Sequence, residues 1–139
     1  IPDRGSKVKV AGWIFKGAGI WGLLALLPLY FLEDHLGREF PPAINHPEFY
    51  YGVVGVAVAW QVAFLVIGGD PARYRPLMPA AMIEKFTFAG ALIALHVKGR
   101  VPAIALVPGI FDGLLGVLFV CAWFNTGPGS TLESSLPNE

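Results

Sequence analysis

The stretch VPAIALVPGIFDGLLGVLFVCAWF, residues 101–124, decides the fold class. It is apolar throughout except for one charged residue, Asp112, near its centre. An α-helix of about 20 residues, rising about 1.5 Å per residue, crosses the ~30 Å hydrocarbon core of a bilayer. We therefore expect residues 101–124 to form a transmembrane helix.

Three similar apolar runs precede it, at residues 10–32, 50–67 and 79–97. Pro28 should kink or end the first helix near the far interface, because proline lacks a backbone N–H. The third run is the least apolar, since Glu84, Lys85 and His96 fall inside it. Residues 98–100 form a connection so short that the third and fourth helices must be antiparallel neighbours. The sequence thus predicts an all-α protein, an integral membrane bundle of four transmembrane helices.

The composition is typical of a protein whose solvent is mostly lipid. Hydrophobic residues make up 55% of the 139-residue chain and charged residues 14%, against roughly 25% charged in ordinary soluble domains. Four spans use almost the whole chain, which leaves no room for a separate soluble domain. Ten basic and ten acidic residues cancel, so bulk charge indicates neither nucleic acid nor an acidic partner. The single cysteine, Cys121, is interpreted as an apolar filler.

The two ends of the chain lie outside the predicted spans. Residues 126–139 form a polar C-terminal tail rich in Gly, Pro, Ser and Asn, and this composition alone predicts disorder. We expect a partner in a larger assembly to hold the tail. The chain starts at Ile1, so we expect further residues upstream. The first run is also too long for the apolar segment of a secretory signal peptide.

The orientation follows from the positions of Lys and Arg, which are commoner in cytoplasmic loops. Five of them would share the side on which the first helix starts: Arg4, Lys7, Lys9, Arg73 and Arg75. Three would lie on the other side: Arg38, Lys98 and Arg100. We therefore expect a multi-pass protein of the bacterial cell (inner) membrane with both termini in the cytoplasm.

Small residues at four-residue spacing predict where the helices pack, because helices in lipid associate through close backbone approach. The longer stripes are Gly55, Ala59 and Ala63 on the second helix, and Ala105, Gly109 and Gly113 on the fourth. Shorter ones are Ala18 with Gly22 on the first helix and Gly90 with Ala94 on the third. The alternative is that these patterns reflect only the abundance of Gly and Ala in membrane helices.

Asp112 is the clearest candidate for function, because an ionisable group at the bilayer centre costs at least about 2.5 kcal/mol. Gln61 on the second helix falls at a similar depth, so we expect it to donate a hydrogen bond to Asp112. Two alternatives stay open. Asp112 could carry a proton or orient a ligand, or it could contact another subunit.

Glu84 and Lys85 lie early in the third helix and are the second candidate pair. Adjacent helical side chains point about 100° apart, so we expect these two not to face each other. Lys85 should extend to the headgroups by snorkelling. Glu84 is too short for that, and we expect it to form an ion pair with Arg73 or Arg75, or with Lys16 of the first helix.

His96 is the only histidine inside a predicted span. It could be an axial ligand of haem iron or of a chlorophyll magnesium, or simply a hydrogen-bonding residue at the interface. His35 and His46 lie among acidic residues of the first connection, but their spacing matches no established metal-site pattern. We therefore predict no metal site and no cofactor, with haem or chlorophyll at His96 as the open alternative.

No enzyme motif occurs in the sequence: there is no Gly-rich phosphate loop, no paired cysteines, no nucleophile elbow and no zinc-protease signature. The ionisable residues of the spans fall at three different depths, which argues against a catalytic cluster. We therefore expect a protein that is not an enzyme.

The layout resembles small bacterial membrane proteins of the DoxX-like kind. The resemblance covers residues 10–125 and lies in four features: the Tyr50, Tyr51, Gly52 start of the second helix, the basic turn 70–76, Glu84 and Asp112. It implies a four-helix bundle and no particular activity.

Of three functions compatible with these features, we expect the first and keep the other two as alternatives. The first is a non-catalytic accessory or scaffolding subunit of a larger membrane complex, such as a respiratory or photosynthetic one. The second is a small proton-coupled carrier built around Asp112 and Glu84. The third is a haem- or chlorophyll-binding subunit that uses His96.

Overall fold

The structure is a computed structural model, and it describes residues 3–127. This part of the chain contains helices and no β-strand. The α-helices are α1 (Arg4–Leu26), α2 (Glu33–Glu39), α3 (Pro47–Gly69), α4 (Met78–Val97) and α5 (Leu106–Asn125). Short 3-10 turns occupy Leu27–Phe31, Arg75–Leu77 and Ala103–Ala105. Residues 128–139, and with them the expectation that a partner holds the tail, lie outside the described residues.

Four helical segments are long and apolar enough to cross a membrane. They run from Arg4 to Phe31, from Pro47 to Gly69, from Arg75 to Val97 and from Ala103 to Asn125. For residues 3–127, the expectation of an all-α fold with four such helices is confirmed. Each segment except the last begins several residues before its apolar run, because caps and prolines rather than hydropathy set where a helix starts.

The start of α1 illustrates this rule. The side chain of Asp3 accepts a hydrogen bond from the backbone N–H of Ser6 at 2.7 Å, so it caps the helix six residues before the predicted boundary. The regular part of α1 ends at Leu26, and the chain continues as a 3-10 turn that contains Pro28. The predicted effect of Pro28 is therefore confirmed.

The short helix α2 lies between the first two apolar runs, where the hydropathy pattern indicates no helix. Glu33 and Asp34 occupy its first turn and Arg38 its last. Negative charge at the start of a helix and positive charge at its end both interact favourably with the helix dipole. This charge order is the local signal that could have indicated α2.

The four long helices form a bundle in which α1 packs most closely on α3, α4 on α5, and α1 also on α5. The contact between α3 and α4 is the smallest of the four. We call the end that holds the start of α1 and the end of α5 the first end of the bundle, and the opposite end the second end. The core at the junction of α1, α3 and α5 holds Phe15, Phe64 and Phe119, all fully buried. The Phe15 and Phe119 rings stack with their centroids 4.2 Å apart.

The contact between α1 and α3 depends on glycines that bring the two backbones together. A Cβ atom at Gly19 would lie 2.8 Å from the backbone oxygen of Gln61, and one at Gly68 would lie 2.9 Å from the backbone oxygen of Gly12. Neither position has room for a methyl group. Gly12, Gly19 and Gly68 therefore form the close approach, which the four-residue spacing rule did not single out.

The predicted stripe on α3 lies elsewhere. Ala59 is exposed and Ala63 half-buried, and a Cβ at Gly55 would meet only the Tyr30 hydroxyl, at 3.5 Å. The α3 residues that meet α1 most closely are Gln61, Leu65 and Gly68, which lie on another face of the helix. The predicted stripe therefore does not form the backbone contact with α1.

The stripe on α5 does face a neighbouring helix. Gly109 is buried, and a Cβ there would lie 2.9 Å from a methyl group of Leu92 on α4. Gly113 lies against Ala89 with a corresponding distance of 3.7 Å. The third member, Ala105, belongs to the 3-10 turn before α5 and is half-buried.

Polar contacts close both ends of the bundle. At the first end, the guanidinium of Arg75 lies 3.4 Å from the centre of the Trp123 ring, and its Nε donates to the Trp123 carbonyl oxygen at 3.3 Å. At the second end, the Tyr51 hydroxyl donates to Glu33 at 2.7 Å. Thr126, assigned to the tail from the sequence, is buried and donates to the carbonyl of Ala122.

Candidate functional site: a charge cluster between α4 and α5

Three ionisable side chains meet where α4 packs on α5. The ammonium nitrogen of Lys85 lies 3.1 Å from Oδ1 of Asp112 and 3.3 Å from Oε2 of Glu84. Lys85 donates a hydrogen bond to Asp112. Its contact with Glu84 is an ion pair without hydrogen-bond alignment, because Oε2 of Glu84 has no hydrogen-bond partner among the described residues. We call Glu84, Lys85 and Asp112 the charge cluster.

Close packing of α4 on α5 brings these side chains together. The turn between the two helices is tight, and Gly99 adopts a φ of +68°, which favours glycine. Gly109 and Gly116 on α5 then let α4 approach, since a Cβ at Gly116 would lie 2.8 Å from the Phe86 ring. Lys85 is next to Phe86 in sequence. Its long side chain therefore reaches Asp112 across the glycine-lined contact.

The charge cluster lies near the middle of two candidate membrane spans. Lys85 is ten residues from the start of the span Arg75–Val97 and twelve from its end. Asp112 is nine residues from the start of the span Ala103–Asn125 and thirteen from its end. At about 1.5 Å per residue, both Cα atoms lie roughly 13–20 Å from either end of their span. Neither side chain is long enough to reach the end of its span from there.

The structure corrects the expected partner of Asp112. Gln61 was expected to donate to this carboxylate, but its Nε2 donates to the carbonyl of Ala57 one turn back, at 3.0 Å. The side chain is buried against α1, where a Cβ at Gly22 would overlap it. Gln61 shares a similar depth with Asp112 but faces another helix. Depth alone, which was the basis of the expectation, does not determine direction.

The structure also corrects the expectations for α4. Lys85 does not extend to the headgroups: its side chain is 5% exposed, and its ammonium lies 5.2 Å from the centre of the Phe64 ring on α3. Adjacent helical side chains do diverge, but the lysine chain is long enough to bend towards both carboxylates. Glu84 therefore has its own neighbour as ion-pair partner.

None of the three expected partners of Glu84 forms that pair. Lys16 is exposed on α1, with its ammonium 5.7 Å from the centre of the Trp13 ring. Arg75 is bound to Trp123 at the first end. Arg73 is exposed and lies over the Tyr74 ring. All three cations remain at the surface or the end of the bundle, where they avoid the cost of burial.

The two carboxylate side chains are less enclosed than the lysine. Glu84 is 19% exposed and Asp112 is 20% exposed. Part of each carboxylate side chain therefore lies at the surface of the bundle, while the ammonium stays inside. Chemically, the cluster can bind a proton or hold a compensating cation.

His96 lies away from the cluster, near the second end. Its Nδ1 is 3.0 Å from the carbonyl oxygen of Val101, so it links the end of α4 to the chain before α5. Ligation of haem or chlorophyll by His96 stays a prediction. Within residues 3–127, no three His, Cys, Asp or Glu side chains group closely enough to hold a metal ion. His46 contacts Glu48 at 3.2 Å as an exposed pair.

Comparison with known proteins adds no relative: no protein-family model, curated protein or solved structure matches the chain. The resemblance to DoxX-like proteins therefore stays a prediction. Functional interpretation therefore depends on the structure of the chain itself.

Proposed function

We propose that the protein is a multi-pass membrane protein and acts as a small proton-coupled carrier at the charge cluster. The observation that carries this proposal is the ion pair of Lys85 with Asp112 and Glu84 midway along two helices that are apolar enough to span a bilayer. Ionisable residues at this depth are rare in membrane proteins and commonly mark proton or substrate pathways.

Stability alone is a weak reason for such a cluster. Replacing a buried ion pair by well-packed apolar residues is often neutral or stabilising by about 1–4 kcal/mol. Oε2 of Glu84 is buried without a hydrogen-bond partner among the described residues, which is a costly arrangement for a purely structural contact.

A flux measurement tests the proposal. Purified protein is reconstituted into liposomes that contain a pH-sensitive dye, and a potassium gradient with valinomycin drives proton entry. We expect proton entry above that of empty liposomes for the wild type, and its loss in Asp112→Asn and Glu84→Gln. Thr87→Val is the matched control on α4, because the Thr87 hydroxyl is exposed and bonds only to carbonyls of its own helix.

Two results would contradict the carrier proposal. One is wild-type flux no higher than that of empty liposomes. The other is equal flux in the wild type and in both carboxylate variants, because the proton would then pass by a route that does not use the cluster.

The proposed location is the cell membrane of a bacterium, with the first end of the bundle in the cytoplasm. Arg4 and Arg75 belong to that end, together with Lys7, Lys9 and Arg73. The second end carries fewer basic residues. The positive-inside rule therefore supports a cytoplasmic position for both termini.

A second candidate is an accessory subunit of a larger membrane complex, and one observation favours it. Gly90 and Ala94 on α4 were expected to pack on another helix, but both are exposed, and a Cβ at Gly90 would meet nothing within 4 Å. Ala91 and Thr87 are exposed beside them. Small residues on a lipid-facing surface allow another helix to approach closely.

Mild detergent extraction from native membranes, followed by native mass analysis, tests the subunit proposal. Recovery in a stoichiometric complex would support it, and removal of residues 128–139 should then weaken co-purification. Recovery of the chain alone or as a homo-oligomer would contradict it. Neither proposal assigns the protein an enzymatic activity.

A further inference from the structure

The two carboxylates of the charge cluster do not have equivalent positions. Asp112 accepts a hydrogen bond from the Lys85 ammonium at 3.1 Å. Oε2 of Glu84 lies 3.3 Å from the same nitrogen, but it is buried and has no hydrogen-bond partner among the described residues. Charge-assisted hydrogen bonds stabilise the ionised form of an acceptor. Asp112 receives that stabilisation through an aligned hydrogen bond, whereas Glu84 receives the attraction of the ammonium at a longer distance and without that alignment.

The number of charges in the cluster is odd. One ammonium faces two carboxylates, so the fully ionised cluster has a net charge of −1 in the middle of the bundle. Among residues 3–127, the charged groups that act on Glu84 are Lys85 and Asp112. The ring nearest the ammonium from α3 is Phe64, and Lys16 of α1 lies at the surface over Trp13. No second cation from α1 or α3 therefore balances the excess charge.

One bound proton makes the cluster neutral. A neutral polar group without a partner in an apolar interior costs far less than an unpaired charge there. The proton belongs on the carboxylate that lacks the hydrogen bond, because protonating Asp112 would remove the charge that Lys85 binds. The lysine and the aspartate would then remain an ion pair beside a neutral glutamic acid.

We infer that Glu84 is the proton-binding residue of the charge cluster and that Lys85 and Asp112 are positioning residues that stay paired beside it. This inference rests on the proposed carrier function and places the proton on the carboxyl group of Glu84. The step is a simple equilibrium in which a carboxylate and a proton form a carboxylic acid. Asp112, which is the clearest candidate from the sequence, is then the partner of Lys85 and does not bind the proton.

Infrared spectroscopy of the intact protein in lipid nanodiscs at neutral pH tests the inference. The C=O stretching band of a protonated carboxylic acid is well separated from the bands of carboxylates. One sample is grown with glutamate labelled with ¹³C at its side-chain carboxyl, and a second with aspartate labelled in the same way. Labelling leaves the charge cluster unaltered, so the test does not depend on a variant that folds.

We expect a protonated-carboxyl band in the unlabelled protein that shifts with the glutamate label and keeps its position with the aspartate label. The band should be lost in Glu84→Gln. It should also be lost in Asp112→Asn, because one ammonium then faces one carboxylate and no proton is needed. A shift with the aspartate label, or no such band in the wild type, would overturn the inference.

The failure of this inference can be told apart from the failure of the carrier proposal. Proton flux that depends on the cluster, without the glutamate band, would refute Glu84 as the proton-binding residue and leave the carrier proposal intact. The band without any flux would do the reverse.

Discussion

Replacement of Gly19 by alanine should loosen the contact between α1 and α3. The added methyl carbon would lie 2.8 Å from the backbone oxygen of Gln61 and 2.8–2.9 Å from two carbons of Leu65, whereas ordinary contacts of a Cβ begin near 3.4 Å. The two helices must therefore separate by about 0.6 Å. A gap of about 0.5–1 Å already forfeits a quarter to a half of the van der Waals attraction of the atoms that part.

The higher helix propensity of alanine offsets part of the stability that this overpacking removes. Overpacking of this kind costs about 1–3 kcal/mol, and alanine returns up to about 1 kcal/mol over glycine inside a helix. We therefore expect Gly19→Ala to lower the free energy of unfolding by about 1–2 kcal/mol. Gly17→Ala is the control, because Gly17 is exposed on the same helix and a Cβ there meets nothing within 4 Å.

Tryptophan fluorescence and circular dichroism, measured during SDS titration of the protein in mild detergent, give these free energies. Gly17→Ala should be as stable as the wild type or slightly more stable. The close approach of α1 and α3 would be refuted if Gly19→Ala matched Gly17→Ala, since both substitutions add the same methyl group.

The other predictions concern the ends of the bundle. Arg75→Gln should lower the free energy of unfolding by about 1–3 kcal/mol, because it removes a cation–π contact and a hydrogen bond to the end of α5. The same titration should show a change within about 0.5 kcal/mol for Arg73→Gln, an exposed neighbour, and equal losses would contradict the assigned role. For topology, a membrane-impermeant maleimide should label Asn45→Cys in intact cells and label Ser6→Cys only after permeabilisation, both in a Cys121→Ser background. Labelling of Ser6→Cys in intact cells would refute the proposed orientation.

The helices could be predicted from the sequence because a span in lipid needs only length and low polarity. Residues 101–124 satisfy both conditions without reference to any other part of the chain. The early start of α1 at the Asp3 cap and the helix α2 depend on local polar contacts, which a hydropathy pattern does not contain. The observed helices therefore differ from the predicted ones where such local contacts start a helix.

The members of the charge cluster could also be singled out from the sequence, but their pairing could not. Asp112, Glu84 and Lys85 were conspicuous because charges within apolar runs are costly. Which of them meet depends on the rotation of α4 against α5, and this rotation is set by the fit of Phe86 and Leu92 against glycines of α5. Gln61 lies at the same depth as Asp112 but faces α1, because the rotation of α3 also depends on packing. Side-chain packing of this kind is a property of two helices together.

A double-mutant cycle on Lys85 and Asp112 tests most directly whether the two side chains form one buried ion pair. The variants are Lys85→Met, Asp112→Asn and the double substitution, compared by SDS titration in mild detergent. Each single substitution leaves a buried charge with fewer partners, whereas the double substitution removes both members of the pair. We expect the loss in the double variant to be smaller than the sum of the single losses by about 1–3 kcal/mol. Losses that add within about 0.5 kcal/mol would contradict the ion pair, because independent sites behave in that way.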